Sequence, residues 1–199
     1  YGMTETNMNA SNPLKGERRA GSVGKALKGT SIRITSIGKN NLSEINEPGM
    51  IEIKGPNVFT GYLNKSEKTK EAFTDDDYFI TGDMGYFDKE GYLFISGRNK
   101  DLIISGGYNL YPKEIEDIIN QFDGIIESAV FGLSDDDLGE IPTAAIVANE
   151  NNFNLDDLKK FIQENLARYK VPKKYFLISE LPRNVMGKVQ KNILKDQYS

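Results

Sequence analysis

Glycine placement divides this chain into two textures. Through residue 97, glycines at 21, 24, 29, 38, 49, 55, 61, 82, 85 and 91 separate short stretches in which apolar and polar residues alternate. Strands so short, and so often interrupted by residues free to take positive φ, build a small barrel or an appended sheet rather than a helical bundle. Ser31–Ser36 (SIRITS) and Gly49–Lys54 (GMIEIK) alternate as half-buried strands do. Tyr78–Thr81, Met84–Asp88 and Tyr92–Ser96 read as further strands, with Asp88–Gly91 as a hairpin turn. One helix is expected at Ser66–Phe73, capped by Ser66 or Asn64.

Near Arg98 the pattern changes. Asp101–Ser105 and Tyr108–Tyr111 are short strands around Gly106-Gly107. Pro112 opens a helix to about Phe122, with Glu114 and Glu116 near its positive end and Ile115, Ile118, Ile119 and Phe122 on one face. Ser128–Leu133 and Thr143–Ala148 are apolar runs of strand length, and Leu155–Leu166 is an amphipathic helix capped by Asn154. Tyr175–Ile178 reads as a last strand and Gln190–Gln197 as a terminal helix. The expected fold class is α+β: a small β-rich subdomain over residues 1–97, a hinge at 98–100, and a compact α+β domain over 101–199.

Composition narrows the chemistry. The 199 residues include no Cys and no His, which removes disulfides, thiol nucleophiles, the Ser-His triad and the usual zinc ligands. Catalysis here must use Lys, Arg, Asp, Glu, hydroxyls, backbone amides or a hard cation held by oxygen. A net charge of −4 provides no overall basic field for nucleic acid. No apolar run has the length of a membrane span, and a cytoplasmic location fits.

Four segments can carry chemistry. Tyr1-Gly2-Met3-Thr4-Glu5-Thr6 offers hydroxyls for a phosphate and a carboxylate for Mg²⁺, but alone is equally a polar loop after a strand. Asp83, after Thr81-Gly82 at a strand end, can accept from a ribose diol, although Asp-rich turns are common. Gly97–Pro112 (GRNKDLIISGGYNLYP) sets Arg98, Lys100 and Asp101 before two glycines that allow close backbone approach. In Pro182–Lys191 (PRNVMGKVQK), Gly187 puts Lys188 on a mobile, exposed loop, where an ammonium can meet a phosphate or is simply solvated. Around it, Ala167–Lys195 holds eight basic residues against the single acid Glu180, a local asymmetry that suggests anion contact.

The order YGMTE, TGD, GRxKDxIxxGG, PRNxxGKxxK resembles the signature of the acyl-adenylate-forming superfamily, across essentially the whole chain. YGMTETNMNASNP, FITGDMGYFDKEGY and LPRNVMGKVQKNIL are similar to its malonyl-CoA synthetases. The resemblance implies an ATP-dependent acid–CoA ligase of fatty acid metabolism. It implies that residues 1–97 end a large N-terminal body and that 101–199 form its lid. By similarity, Tyr1 would lie against adenine, Thr4 would bond the adenylate phosphate, and Glu5 would bind Mg²⁺. Asp83 would take the ribose hydroxyls beside Arg98, with Lys100 as the hinge. Lys188 would reach the carboxylate and α-phosphate, and Gly106 and Gly107 would line the pantetheine tunnel of CoA.

The family's phosphate loop, and most of the pocket for a malonate-like carboxylate, would lie in an upstream N-terminal portion of the same enzyme. Met8 and Asn9 are the acyl-pocket candidates here. The start at Tyr1 reads as internal, and these residues alone are expected to be inactive. Two other readings stay open: a CoA ligase for another short- or medium-chain acid, and a non-catalytic nucleotide-binding module.

Overall fold

The computed structural model describes residues 1–38, 41–149 and 153–199. The chain forms two compact units, Tyr1–Asn99 and Lys100–Ser199. Among the described residues, no helix is long and apolar enough to cross a membrane.

The first unit contains β1 (Gly2–Met3), β2 (Asn7–Met8), β3 (Ala10–Ser11), β4 (Lys25–Ala26), β5 (Ser31–Thr35), β6 (Gly49–Lys54), α1 (Ser66–Glu71), β7 (Phe79–Phe87) and β8 (Leu93–Arg98). Strands β5-β6-β7-β8 form an antiparallel sheet in sequence order, and β1–β2 and β3–β4 form two small ribbons. Among the described residues β5 and β8 do not pair, so these four strands form an open sheet. Alternation puts Ile51 and Ile53 of β6 into one core with Ala10, Ile34 and Leu93. On the opposite face, Glu52 is buried because Arg33 Nε (2.6 Å) and the Thr35 hydroxyl (2.9 Å) donate to its carboxylate.

Arg33 also grips Asp76, whose pKa is pulled to about 2 by that guanidinium first and by the Thr74 hydroxyl second. The Asp76 carboxyl signal is therefore expected to titrate near pH 2 in an NMR pH series. Because this pKa is depressed, the pairing is fully present above the ordinary carboxylate range and is lost as pH falls through about 2. Arg33→Gln should raise the midpoint toward the ordinary carboxylate range, with the Thr74 hydroxyl still holding it below that range.

Two local expectations need correction. Tyr78–Thr81 and Met84–Asp88 are not separate strands but parts of the nine-residue β7. Gly82, at φ +74°, lets the chain bulge against β6 without ending the strand. Helix α1 is capped at Lys65 with no side-chain hydrogen bond, rather than by Ser66 or Asn64. The hydroxyl of Thr69 instead donates to the Lys65 carbonyl at 3.0 Å.

The second unit contains β9 (Ile103–Ser105), β10 (Tyr108–Leu110), α2 (Pro112–Ile119), β11 (Ile125–Asp135), β12 (Gly139–Ala148), α3 (Leu155–Asn165), β13 (Lys174–Leu177) and α4 (Lys191–Tyr198). Its described residues form the five strands and three helices that the sequence pattern suggests, but β11 and β12 run longer than expected and are the two strands of one hairpin. Helix α3, whose Asn154 cap accepts from the Asp156 and Asp157 amides, crosses from β12 to the parallel β13.

Both faces of this sheet are covered. Val130, Ala144 and Ile146 pack with Ile115, Ile119, Leu158 and Ile162 of α2 and α3. Ala129, Phe131, Ala145 and Val147 pack with Leu181 and with Leu194 of α4. Burial on both faces explains why these strands read as unbroken apolar runs rather than alternating ones.

Candidate functional site

The first unit brings together three of the expected residues. The bulge in β7 is held by Thr81, whose hydroxyl donates to the Ile51 carbonyl at 2.8 Å and accepts from the Asp83 amide at 3.0 Å. The register then sets Asp83 directly across from Arg98 of β8, and Arg98 Nε lies 2.9 Å from Asp83 Oδ1. The Tyr1 hydroxyl donates to Asp83 Oδ2 at 2.6 Å. Asp83 is therefore buried with a guanidinium on one oxygen and a phenol on the other, while Arg98 stays exposed. Burial, and then the Asp83 carboxylate, push the Tyr1 phenol well above its ordinary pKa, so it remains a donor. The Thr-Gly pair does not end a strand to present Asp83. It creates the bulge in mid-strand from which Asp83 meets Arg98.

Thr4 is exposed and Glu5 half-buried on the loop between β1 and β2. Glu5 is held twice: its carbonyl accepts from the Phe59 amide at 2.8 Å, and Oε1 accepts from the Tyr62 hydroxyl at 3.1 Å. Burial and then Glu5 raise the pKa of Tyr62.

Asn57 braces the same loop. Its side-chain amide donates to Thr6 O (2.7 Å), Asn9 Oδ1 (3.1 Å) and Met8 O (3.3 Å). Sequence reasoning missed Asn57, Phe59 and Tyr62. They are neutral residues in a connecting segment, where the sequence marked only Gly61 as a break. Met8 is exposed whereas Asn9 is fully buried, so the two acyl-pocket candidates do not share a face.

Among the described residues, no three His, Cys, Asp or Glu side chains cluster to hold a metal. Glu5, a single carboxylate with one oxygen taken by a phenol, fits a hard cation that draws its other ligands from phosphate oxygens and water.

The second unit carries the remaining candidates. Gly106 and Gly107, at φ +56° and +81°, make the exposed two-residue turn joining β9 to β10, a type I′ requirement. Lys188 is exposed, on a turn whose backbone is hydrogen-bonded. Asn184 Oδ1 accepts from the Met186 and Lys188 amides, both at 3.0 Å, and the Asn184 amide donates to Lys188 O at 2.9 Å. Arg183 Nη1 adds a bond to Gly187 O at 2.7 Å. Asn184 entered the sequence reading only as a letter of the PRNxxGKxxK order, without this role.

The basic excess of residues 167–195 is partly neutralised in the fold. Lys170 pairs with Glu114 (2.5 Å), Lys191 with Glu116 (2.6 Å), Lys195 with Glu140 (3.3 Å) and Arg183 with Glu127. Glu114 and Glu116 thus serve as ion-pair partners as well as sitting early in α2. Among the described residues, Lys188 has no ion pair.

Residues 1–63 match the model of the AMP-binding enzyme and residues 114–188 that of the AMP-binding enzyme C-terminal domain. The chain belongs to the AMP-binding enzyme family. A 2-succinylbenzoate–CoA ligase of Listeria monocytogenes is 41% identical over 100% of this chain and 40% of its own length. A malonate–CoA ligase of Arabidopsis thaliana is 42% identical over 98% of this chain and 33% of its own. A crystal structure of ATP-bound MatB from Rhodopseudomonas palustris superposes with a TM-score of 0.94 and 49% identity, covering 100% of this chain and 40% of that one. The chain thus spans a third to two-fifths of the length of these AMP-binding relatives.

Proposed function

We propose that this chain supplies the nucleotide-side residues of an ATP-dependent acid–CoA ligase. The observation that carries the reading is the buried Asp83, held at 2.6 Å by Tyr1 and 2.9 Å by Arg98. A carboxylate whose orientation is fixed before ligand arrives suits the two hydroxyls of a ribose. Tyr1 then serves Asp83 as well as the adenine it is proposed to lie against.

In the proposed reaction a substrate carboxylate oxygen attacks the α-phosphorus of ATP. A P–O bond breaks, pyrophosphate leaves, and an acyl-adenylate forms. The CoA thiol next attacks the acyl carbon, AMP leaves, and the thioester results. Thr4 donates to the adenylate phosphate. Glu5 holds Mg²⁺, which when bound offsets charge on the phosphate oxygens. Lys188 offsets the charge that builds where carboxylate meets phosphate. Gly106 and Gly107 pass the pantetheine arm. Lys188 and this turn serve different steps on one unit, so the reading includes a swing about Lys100, in the exposed 98–100 segment.

The acid proposed is malonate, on the motif resemblance and the Arabidopsis thaliana relative; Met8 and Asn9 remain the pocket residues proposed from this chain. The second reading is a CoA ligase for another short- or medium-chain acid; a long-chain-fatty-acid–CoA ligase of Mycobacterium tuberculosis, named for an acid other than malonate, is equally identical, at 42% over 92% of the chain. The complete enzyme, given ATP, malonate and CoA, is expected to release AMP and malonyl-CoA. Release of ADP would overturn the ligase reading. kcat/KM for malonate should exceed that for acetate by about 10⁴, since acetate leaves a buried carboxylate partner unpaired. Equal values would reject malonate in favour of the second reading.

A further inference from the structure

We infer that Tyr62 is a positioning residue for the metal ligand Glu5, an inference that rests on the proposed role of Glu5. The segment between β6 and α1 grips Glu5 at two points three residues apart. The Phe59 amide fixes its carbonyl at 2.8 Å, and the Tyr62 hydroxyl takes Oε1 at 3.1 Å. That leaves the second carboxylate oxygen for a cation.

Tyr62 is itself held on several sides. Its amide donates to the Thr69 hydroxyl of α1 at 2.9 Å. Its ring meets Phe59 edge-on at 4.9 Å, and Lys68 Nζ sits 4.7 Å from the ring centre. Phe59 in turn packs edge-on against Phe79 of β7 at 5.4 Å, and Phe79 is buried in the sheet. Gly61 permits the approach, since a Cβ there would fall 2.5 Å from Thr69 Cγ2. A phenol so fixed restrains the carboxylate it donates to. Packing alone does not require the hydroxyl, because Phe would fill the same space. Hydrogen-bond partners of metal ligands orient those ligands, and losing one typically costs 10–100-fold in metal affinity.

The test uses the complete enzyme with saturating ATP and Mn²⁺ followed by electron paramagnetic resonance. Tyr62→Phe is expected to weaken Mn²⁺ binding about tenfold with an unchanged melting temperature. In a Glu5→Gln background it should weaken binding no further, because its action runs through Glu5. Tyr92→Phe, which removes a hydroxyl bonded to Glu17 O at 2.7 Å elsewhere in the unit, should leave Mn²⁺ binding unchanged. The inference is overturned if Tyr62→Phe binds Mn²⁺ like the parent while Glu5→Gln is weakened, or if Tyr92→Phe loses as much as Tyr62→Phe. If Glu5→Gln itself binds like the parent, the metal role of Glu5 falls, and the inference falls with it.

Discussion

Lys188→Ala is expected to slow acyl-adenylate formation in the complete enzyme by about 10²–10³, the usual cost of removing one charge-stabilising donor. Transfer of the acyl group from supplied malonyl-adenylate to CoA should be nearly unchanged, because the proposed role ends when pyrophosphate leaves. The fold makes this a sharp test. Lys188 projects from a turn stitched by Asn184, so removing its side chain disturbs no ion pair among the described residues.

The comparison must be chosen with the same care. Lys191→Ala would strand the half-buried Glu116, whose carboxylate also accepts from the Val130 amide at 2.8 Å. Lys174 on β13 is exposed and serves better. Single-turnover rates for the two half-reactions decide the matter. If Lys188→Ala matches Lys174→Ala in both, Lys188 is a solvated surface cation and the catalytic assignment is wrong.

Gly24→Ala is expected to destabilise the first unit by more than about 4 kcal/mol, the range reserved for severe core or backbone damage. A Cβ at this position would lie 1.9 Å from the Ser11 carbonyl carbon and 2.1 Å from the Asn12 nitrogen, backbone atoms that cannot rotate away. Gly24 also joins the β3–β4 ribbon to the sheet, since its carbonyl accepts from the Leu93 amide at 2.8 Å. At φ +89° an alanine there carries a left-handed backbone penalty as well.

Gly91, at φ +79° in the β7–β8 turn, separates the two effects, because nothing lies within 4 Å of a Cβ there. Gly91→Ala should cost only the left-handed backbone penalty of about 1–2 kcal/mol. Denaturant unfolding of the 199-residue chain, followed by the near-ultraviolet signal of its ten tyrosines, five of them in the first unit, checks both. Equal midpoints for the two variants would mean that the close approach at Gly24 is wrong.

Local chemistry was legible where it needed no distant partner. The alternation of Gly49–Lys54 marked β6 with the bounds the structure has, and Asn154 announced α3 because a cap bonds amides two and three residues away. The Asp88–Gly91 turn was readable too: Asp88 Oδ1 accepts from the Glu90 and Tyr92 amides. Legibility failed where a partner comes from far along the chain. Tyr62 and Glu5 are 57 residues apart, and Tyr1 and Asp83 are 82 apart, so neither pair leaves a spacing to read.

By itself, then, the sequence determined the α+β class, the change of texture near Arg98, and the order of four motifs that points to adenylate chemistry. The class and the change of texture are carried by periodicity and by residues that act on their own neighbours, and the adenylate reading by the resemblance of the motif order to a known family. Only the tertiary structure decided which glycines are turns and which are close approaches. Gly24 and Gly91 look alike in the chain, but one faces the backbone of Ser11 and the other faces open space. It likewise decided that Lys170, Arg183, Lys191 and Lys195 are matched by glutamates of α2, β11 and β12, whereas Lys188, like Arg168, Lys173 and Lys174, has no ion pair among the described residues. The physical reason is the same in both cases: a clash and an ion pair are set by distances of a few ångströms between atoms, and folding brings together atoms that the order of residues keeps apart.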